Sequence, residues 1–259
     1  MGASDQVRGD TEIESLRRAL DAETQARLDV EGKLERANAE FEQFVAMAAH
    51  NLRQSLRDVA SFSQLLAETD SGRLDAEGVG FLDRIRDGAA GMQLLLADVV
   101  DYWATGAGDR RFSPTDMEAV LRQALLSLDK QIMETGVIVT HDPLPNVCGN
   151  FEILAKVLYH LIRNGIEYRG TISPRIHVSA KRDGLDWLFS VQDNGPGIDP
   201  AFHGRVFGAF KRLHGTEHPG NGLGLAFCRK AIESHGGRIR MESTLGVGST
   251  FYFTLPPDD

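Results

Sequence analysis

Two glycine-rich segments contain the residue types and spacings best suited to chemistry. Residues 193–197 read Asp-Asn-Gly-Pro-Gly after a run typical of a β-strand, and residues 220–225 read Gly-Asn-Gly-Leu-Gly-Leu at the start of a predicted helix. Glycine lets the backbone approach a ligand closely, and the free amides at a helix N-terminus attract an anion such as phosphate. A pair of tight turns would use the same residues. Neither segment alone therefore shows whether its glycines serve ligand binding or only a turn of the chain.

A third candidate is an asparagine on a mostly apolar helix. Asn164 lies in a helix predicted from Phe151 to Gly165, ahead of the segment 193–197. A buried amide is costly unless it has a partner, and an Mg²⁺ ion that also holds phosphates would be one. The alternative is an asparagine that faces solvent.

Two common nucleotide motifs are excluded. The glycines of residues 220–225 alternate and follow a loop, unlike those of the dinucleotide-binding fingerprint, which follow a strand. The P-loop pattern is also excluded, because the chain contains no Gly-Lys-Ser or Gly-Lys-Thr.

In this order, the three segments resemble the ATP-binding domain shared by histidine kinases, Hsp90 chaperones, gyrases and MutL-type proteins. Residues 207–210 (FGAF) are similar to the family's phenylalanine box, and residues 245–251 (LGVGSTF) extend the match. The resemblance covers residues 110–256. Residues 210–214 and 218–220 are most similar to sensor histidine kinases of the bacterial-phytochrome type.

The resemblance implies a role for each matching residue. Asp193 would accept a hydrogen bond from the adenine amino group, and Asn164 would bind Mg²⁺. Lys211 and Arg212 would meet phosphate near the lid of the site. The glycines that would shape the loops around the nucleotide are Gly195, Gly197, Gly220, Gly222 and Gly224. The implied cofactors are ATP and Mg²⁺.

The N-terminal half contains a candidate nucleophile. Residues 48–57 (AAHNLRQSLR) resemble the phospho-acceptor box of histidine kinases. His50 lies off the apolar register of its helix, which predicts an exposed imidazole, and a neutral imidazole nitrogen can attack a phosphoryl group. The resemblance implies Mg·ATP-dependent phosphorylation of His50 and transfer to an aspartate of a response regulator.

Three residues near the histidine bear on whether this reaction runs. Asn51 stands where the family usually has an acid that accepts the imidazole proton, which an amide cannot do. Ser55 replaces a proline, so the usual bend of the helix is not expected. Gln54 lies where other members place the residue that orients water for phosphatase action. An ATP-binding pseudokinase or scaffold, or a phosphatase-biased member, is therefore the alternative to an active kinase.

Two residues of the ATP-binding half also depart from the family pattern. His160 replaces an asparagine or glutamate, and Glu167 replaces a lysine near the phosphates. The Glu167 carboxylate would repel phosphate unless Arg163 or Arg169 offsets its charge. A chaperone or repair ATPase of the same superfamily is disfavoured, because His50 and its helices would have no role there.

Hydrophobic periodicity predicts a coiled-coil signalling helix over residues 11–44, after a polar tail at residues 1–10 that we expect to be disordered. Glu23 and Arg27 interrupt the seam. A single amphipathic helix packed on its own domain is the alternative. The seam residues are Ile13, Leu16, Leu20, Val30, Leu34, Ala37, Phe41, Phe44 and Ala48.

Residues 45–105 predict a helical hairpin, which the resemblance assigns as the dimerisation and histidine phosphotransfer domain. A polar stretch at residues 68–76 predicts the loop between its helices. A lone hairpin cannot bury both apolar faces, so we expect a homodimer that completes a four-helix bundle. The stripe on the second helix consists of Leu82, Ile85, Ala89, Met92, Leu96, Val99 and Trp103.

The remaining half predicts an α+β sandwich, which the resemblance assigns to the Bergerat (GHKL) type, over residues 110–256. Helices are expected at residues 116–128, 151–165 and 223–234. Strands are expected at residues 137–140, 146–148, 176–181, 187–192, 238–243 and 249–255.

The amino-acid composition limits the binding partners and the cellular location to be expected for this protein. Among 259 residues, 28 Lys and Arg against 37 Asp and Glu give a net charge of −9, which argues against nucleic-acid binding. Only Cys148 and Cys228 are present, which excludes a disulfide framework and favours a cytoplasmic protein. No apolar run is long enough to cross a membrane. The chain contains no sensor module, so the input is expected from an upstream sensor domain or protein.

Overall fold

The computed structural model describes residues 3–69, 74–105, 112–170, 173–211 and 221–258. A helical N-terminal region is followed by a mixed α/β domain, which confirms the predicted α+β class. Packing divides the chain into two compact units, residues 1–48 and 49–259. Within the described parts, no helix is long and apolar enough to span a membrane.

The first helix, α1, runs from Ala3 to Thr69. The structure therefore differs from the disordered tail expected at residues 1–10, because a helix that has already nucleated extends at little cost where no proline intervenes. In the first unit α1 exposes apolar side chains, among them Leu20 (64%), Val30 (63%) and Phe44 (60%). A second helix would cover such a seam, and the coiled coil stays a prediction.

The second helix, α2, runs from Ala76 to Ala104, and the side chain of Asp75 caps its start by accepting a hydrogen bond from the Gly78 amide. The predicted loop at residues 68–76 lies partly outside the described residues, and its first two positions are helical. Of the predicted dimer stripe, Leu82 and Ala89 are buried, whereas Ile85 and Met92 are 45% and 50% exposed. The homodimer stays a prediction.

Strand β1 (Ser113–Asp116) was not predicted from the sequence. It is short, contains Pro114 and pairs antiparallel with β3 (Asn146–Gly149), where the buried Thr115 hydroxyl donates to the Gly149 carbonyl at 2.9 Å. Helix α3 follows from Met117 to Thr135 and packs on α4. It is longer than the predicted helix at residues 116–128.

A five-stranded sheet in the order β2-β4-β5-β7-β6 forms the centre of the domain. Strands β2 and β4 pair in parallel, and the other neighbours are antiparallel. The predicted β4–β5 hairpin is confirmed, with Gly184 at φ 63° in its turn. The strands are β2 (Ile138–His141), β4 (Arg175–Asp183), β5 (Asp186–Asp193), β6 (Ile239–Thr244) and β7 (Gly248–Leu255).

Helices α4 (Phe151–Glu167) and α5 (Gly224–Ser234) complete the domain. Leu158 on α4 and Phe227 on α5 join Phe189 and Phe253 of the sheet in one buried core. Each such side chain contributes about 1.5–3 kcal/mol by leaving water. This core fixes the end of α4 and the start of α5 relative to the end of β5, where the candidate site residues lie.

Candidate functional site

A cleft of about 840 Å³, open to solvent, lies where α4, β5 and α5 meet. It brings together segments that are far apart in the sequence. The predicted site residues that line it are Asn164, Asp193, Gly197, Lys211, Gly222 and Gly224. Apolar lining residues that sequence reasoning missed are Ile198, Val206, Leu225 and Phe251. Ile198 and Val206 belong to no quoted motif, whereas Leu225 and Phe251 end the motifs at residues 220–225 and 245–251, which had been considered only for their glycines and for their resemblance.

The other predicted site residues lie elsewhere. Gly195 follows Asp193 in the same loop, and Arg212 and Gly220 lie outside the described residues. His50 and Gln54 are exposed on α1 and do not line the cleft.

The carboxylate of Asp193 is fixed by the backbone around it. Its Oδ1 accepts hydrogen bonds from the amides of Gly195 (2.8 Å) and Ser249 (3.1 Å). Burial raises the pKa of Asp193, and these two hydrogen bonds oppose that rise. Since both bonds from the described chain end on Oδ1, Oδ2 remains available to accept a hydrogen bond from a ligand in the cleft.

Two glycines of the cleft cannot be replaced without strain. Gly197 has φ 73°, and a Cβ there would lie 2.1 Å from the Thr244 carbonyl oxygen. Gly222 has φ 67°, and a Cβ there would lie 2.8 Å from the Lys211 carbonyl oxygen. Both glycines therefore allow close approach to neighbouring backbone, as the tight-turn alternative requires, and the predicted approach to a ligand stays a prediction.

The start of α5 presents unsatisfied backbone amides near the cleft. Leu223 occupies the N-cap position, and no side chain among the described residues caps the helix. The first amides of a helix lack intrahelical acceptors, and with the helix dipole they favour an anion. Because Gly222 and Gly224 line the cleft, phosphate groups could reach these amides.

Asn164 lies in the last turns of α4, half-buried in the wall of the cleft. Within the described chain its side-chain amide has no hydrogen-bond partner. The described residues also contain no group of three or more His, Cys, Asp or Glu residues that could hold a metal. Mg²⁺ is commonly held by one or two protein oxygens together with substrate phosphates. A single amide oxygen beside a phosphate-binding helix start fits that manner of binding.

The charge of Glu167 is offset by one neighbour. The Nε of Arg163 lies 3.4 Å from Oε1 of Glu167, and the two side chains are 10% and 16% exposed. Burial raises the pKa of Glu167, Arg163 lowers it, and Asp98 raises it further. The second candidate, Arg169, donates instead to the Ile166 carbonyl at 3.1 Å.

His160 is buried behind the cleft, and its Nδ1 has no hydrogen-bond partner in the described structure. Burial lowers the pKa of His160 to about 3, with further lowering from the charges of Arg163 and Lys156. The imidazole is therefore neutral at physiological pH. A Cβ on Gly224 would lie 2.9 Å from this Nδ1, so the glycine allows α5 to pack directly on His160.

The end of α2 packs against α4 and α5 of the α/β domain. Lys156 on α4 lies 2.6 Å from Oδ1 of Asp101, and the Lys230 ammonium on α5 donates to the carbonyls of Tyr102 (2.9 Å) and Trp103 (3.4 Å). The sequence pattern did not predict these contacts, because they join charged residues that are far apart in the chain.

The helix around His50 continues without interruption. Ser55 donates from its hydroxyl to the Asn51 carbonyl at 3.3 Å, where a proline would remove a backbone hydrogen bond. The amide of Gln54 donates to Asp58 at 3.1 Å and accepts from Arg57. The side chain predicted to orient water is thus held by its own helix.

Comparison with known families places this domain in a class. Residues 149–259 match the family described as histidine kinase-, DNA gyrase B- and HSP90-like ATPases. This part of the chain is therefore an ATP-binding domain of that family.

The comparisons with whole proteins narrow the class. The chain is 45% identical over 224 residues to Cyanobacterial phytochrome A from Nostoc sp.. It is 40% identical over 224 residues to Phytochrome-like protein Cph1 from Synechocystis sp.. Both alignments include 86% of this chain but only 29% and 30% of the relatives' length.

Solved structures agree with these relatives. Full-length ShkA in complex with AMPPNP has a TM-score of 0.66 and 27% identity, covering 83% of this chain and 45% of that one. The histidine kinase ThkA, in complex with the response regulator TrrA, has the same fold with a TM-score of 0.57 and 20% identity, covering 83% of this chain and 61% of that one. The chain therefore contains a sensor histidine kinase core.

Proposed function

We propose that this chain is the kinase core of a two-component sensor. It uses Mg·ATP to phosphorylate His50 and passes the phosphoryl group to an aspartate of a response regulator. The observation that carries the proposal is one cleft that joins the Asp193 carboxylate, the Asn164 amide and the start of α5, the last two having no side-chain partner among the described residues. This arrangement provides an acceptor for adenine, an oxygen for Mg²⁺ and amides for phosphate.

In the bound state, Oδ2 of Asp193 accepts a hydrogen bond from the adenine amino group. The α5 amides and Lys211 contact the phosphates, with Arg212 and Gly220 assigned to the same end of the site by the family resemblance. Asn164 would hold Mg²⁺, which would neutralise charge on the phosphates of ATP. The apolar side chains of Ile198 and Phe251 exclude water from the base.

In the transfer step, a neutral nitrogen of His50 attacks the γ-phosphorus, and the bond from that phosphorus to the β–γ bridging oxygen of ATP breaks. ADP leaves, and the imidazole proton passes to a base or to water. The exposure of His50 on α1 supports this role, because an acceptor must reach both ATP and a response regulator.

A second candidate function rests on Asn51. Without an acid beside His50, the chain could bind ATP and a regulator but phosphorylate slowly, as a pseudokinase or scaffold. The other departure counts less before nucleotide enters, because Arg163 then offsets Glu167. A phosphatase bias through Gln54 would require this amide to leave Asp58 and Arg57.

The proposed partners follow from the surfaces of the helices. A second copy of the chain would cover the half-exposed Ile85 and Met92 of α2, and a sensor domain or protein upstream would act through α1. The response regulator partner is supported by the complex of ThkA with TrrA, which has the same fold. The free thiols Cys148 and Cys228 fit a cytoplasmic location.

Incubation with γ-labelled ATP tests the proposal. The wild-type chain should acquire an acid-labile label that His50→Ala removes, while the control His141→Ala, at an exposed position outside the cleft, keeps it. Transfer to a purified receiver domain tests the second step. Equal labelling of His50→Ala and wild type would disprove the acceptor assignment. Binding of ATP without any labelling would favour the scaffold.

A further inference from the structure

Arg163 is a buried cation at the phosphate end of the cleft. Arg163 is 9% exposed, and it lines the cleft together with Gly222 and Gly224. One terminal guanidinium nitrogen lies 3.6 Å from the position that a Cβ on Gly224 would occupy. The guanidinium is therefore next to the first turn of α5, where the uncapped amides begin.

The hydrogen bonds available to this guanidinium are largely unused. Nε has no hydrogen-bond partner in the described parts of the chain, since Glu167 approaches within 3.4 Å without hydrogen-bond geometry. Nη1 donates only a long bond of 3.5 Å to the Tyr159 hydroxyl, and the guanidinium also lies 5.3 Å from the centre of that ring. A guanidinium has five N–H donors, and leaving them unpaired in a buried place is costly.

We propose that Arg163 binds the phosphates of the nucleotide and exchanges its contact with Glu167 for phosphate oxygens when ATP enters. The inference rests on the proposed function, which supplies the nucleotide. A planar guanidinium donates two parallel hydrogen bonds to a phosphate, and such charge-assisted bonds are stronger than neutral ones. The backbone amides of α5 and the Arg163 guanidinium then bind the same anion from neighbouring positions.

A competing explanation gives Arg163 no contact with the nucleotide. Glu167 and Asp98 are both carboxylates close to it, so Arg163 could serve only to neutralise them. In that case removal of the Glu167 charge should make Arg163 dispensable. If Arg163 binds phosphate, the same removal cannot restore affinity.

The test compares Mg·ATP affinity by calorimetry with adenosine affinity by an NMR shift titration. Arg163→Ala should weaken Mg·ATP by about 10- to 100-fold, the range expected for hydrogen bonds to a charged group, and change adenosine by less than about 2-fold. The double variant R163A/E167Q should bind Mg·ATP about 10- to 100-fold more weakly than the single variant E167Q, which has lost the same repulsive charge but keeps Arg163. The control Arg122→Ala, which removes an exposed charge on α3, should bind both ligands as the wild type does.

Equal Mg·ATP affinity of R163A/E167Q and E167Q would overturn the proposal in favour of charge neutralisation. An equal loss for ATP and adenosine would overturn it in favour of a structural role. If R163A does not fold, Arg163→Lys is the second variant, because it keeps the charge but removes the planar guanidinium. It should lower the affinity for Mg·ATP and leave the affinity for adenosine unchanged. Absence of Mg·ATP binding by the wild type would instead refute the proposed function itself.

Discussion

Asn221 donates a hydrogen bond from Nδ2 to Oδ2 of Asp98 over 3.2 Å, and this bond connects the wall of the nucleotide cleft to the last turns of α2. Burial raises the pKa of Asp98, while Arg163 and the Asn221 bond oppose that rise. Asn221 immediately precedes Gly222 and the start of α5. A ligand that contacts Asn221 or Gly222 would therefore act on a segment that is bonded directly to α2.

The first prediction concerns this bond. Asp98→Ala removes the acceptor and leaves the Asn221 amide without its partner, which we expect to weaken the attachment of α2 by about 1 kcal/mol. Backbone hydrogen exchange over residues 98–104 should accelerate about fivefold, as measured by mass spectrometry. Asp87→Ala, at an exposed position of the same helix, is the matched control. Equal exchange in both variants would show that the bond does not hold α2.

The second prediction separates the binding role of Asp193 from its structural role. Asp193→Asn can keep Oδ1 as acceptor for the Gly195 and Ser249 amides, but it places an NH₂ group where Oδ2 would face adenine. We expect this variant to keep its melting temperature and to lose nucleotide binding by calorimetry.

Asp193→Ala is the companion variant, because it also leaves two amides without an acceptor. It should lose about 1–3 kcal/mol of unfolding free energy in addition to nucleotide binding. Unchanged affinity in the asparagine variant would show that Asp193 does not contact the base.

The third prediction concerns pH. An unfolded histidine titrates near about 6.5, whereas burial keeps the pKa of His160 at about 3 in the folded chain. Between these values the unfolded state binds a proton that the folded state does not. The stabilisation is therefore fully present above the unfolded pKa and is lost as the pH falls.

Urea unfolding at two pH values measures this loss. From about pH 7.5 to about pH 5.5 the wild type should lose about 1.4 kcal/mol more than His160→Asn, which cannot titrate. The control His50→Asn removes an exposed histidine and should follow the wild type. Parallel losses in wild type and His160→Asn would show that the imidazole gains a proton in the folded state.

The fourth prediction concerns the homodimer. Ile85 and Met92 lie on the apolar stripe of α2 and are each about half-exposed in a single chain. Replacing both with glutamate should give a monomer by sedimentation at micromolar concentration, because like charges would meet across a two-fold axis. Exposed Asp83 and Asp87, off the stripe, serve as control positions for substitution to glutamate. A wild-type monomer would refute the four-helix bundle.

Much of the fold was predictable because its elements carry their own signals. The β4–β5 hairpin alternates in hydrophobicity and turns at Gly184, and α4 is capped by Asn150 before a long apolar run. Strand β1 escaped detection because it is short and contains Pro114. Its pairing with β3 is a long-range contact that no local pattern encodes.

The candidate site was predictable where its residues adopt backbone conformations that favour glycine. Gly197 and Gly222 adopt positive φ, and the sequence shows this as glycine clusters. The burial of His160 and the pairing of Arg163 with Glu167 could not be predicted with certainty. Both depend on how closely α5 packs on α4, which the tertiary core decides.

The last prediction concerns Asn51, which divides an enzyme from a scaffold. Asn51 is exposed beside His50 on an unbroken helix, so an acid at this position would meet no steric obstacle. Proton acceptance by a positioned base contributes about 10²–10⁴-fold to such steps, but water can also take the proton once the imidazole carries phosphate. We therefore expect slow, detectable labelling of His50 from γ-labelled ATP.

Asn51→Asp should label faster at equal ATP occupancy. Asn51→Ala should match the wild type, because neither asparagine nor alanine accepts a proton. If Asn51→Asp labels no faster than the wild type, proton acceptance does not limit the reaction. If neither the wild type nor any variant labels while all bind ATP, the chain acts as a scaffold.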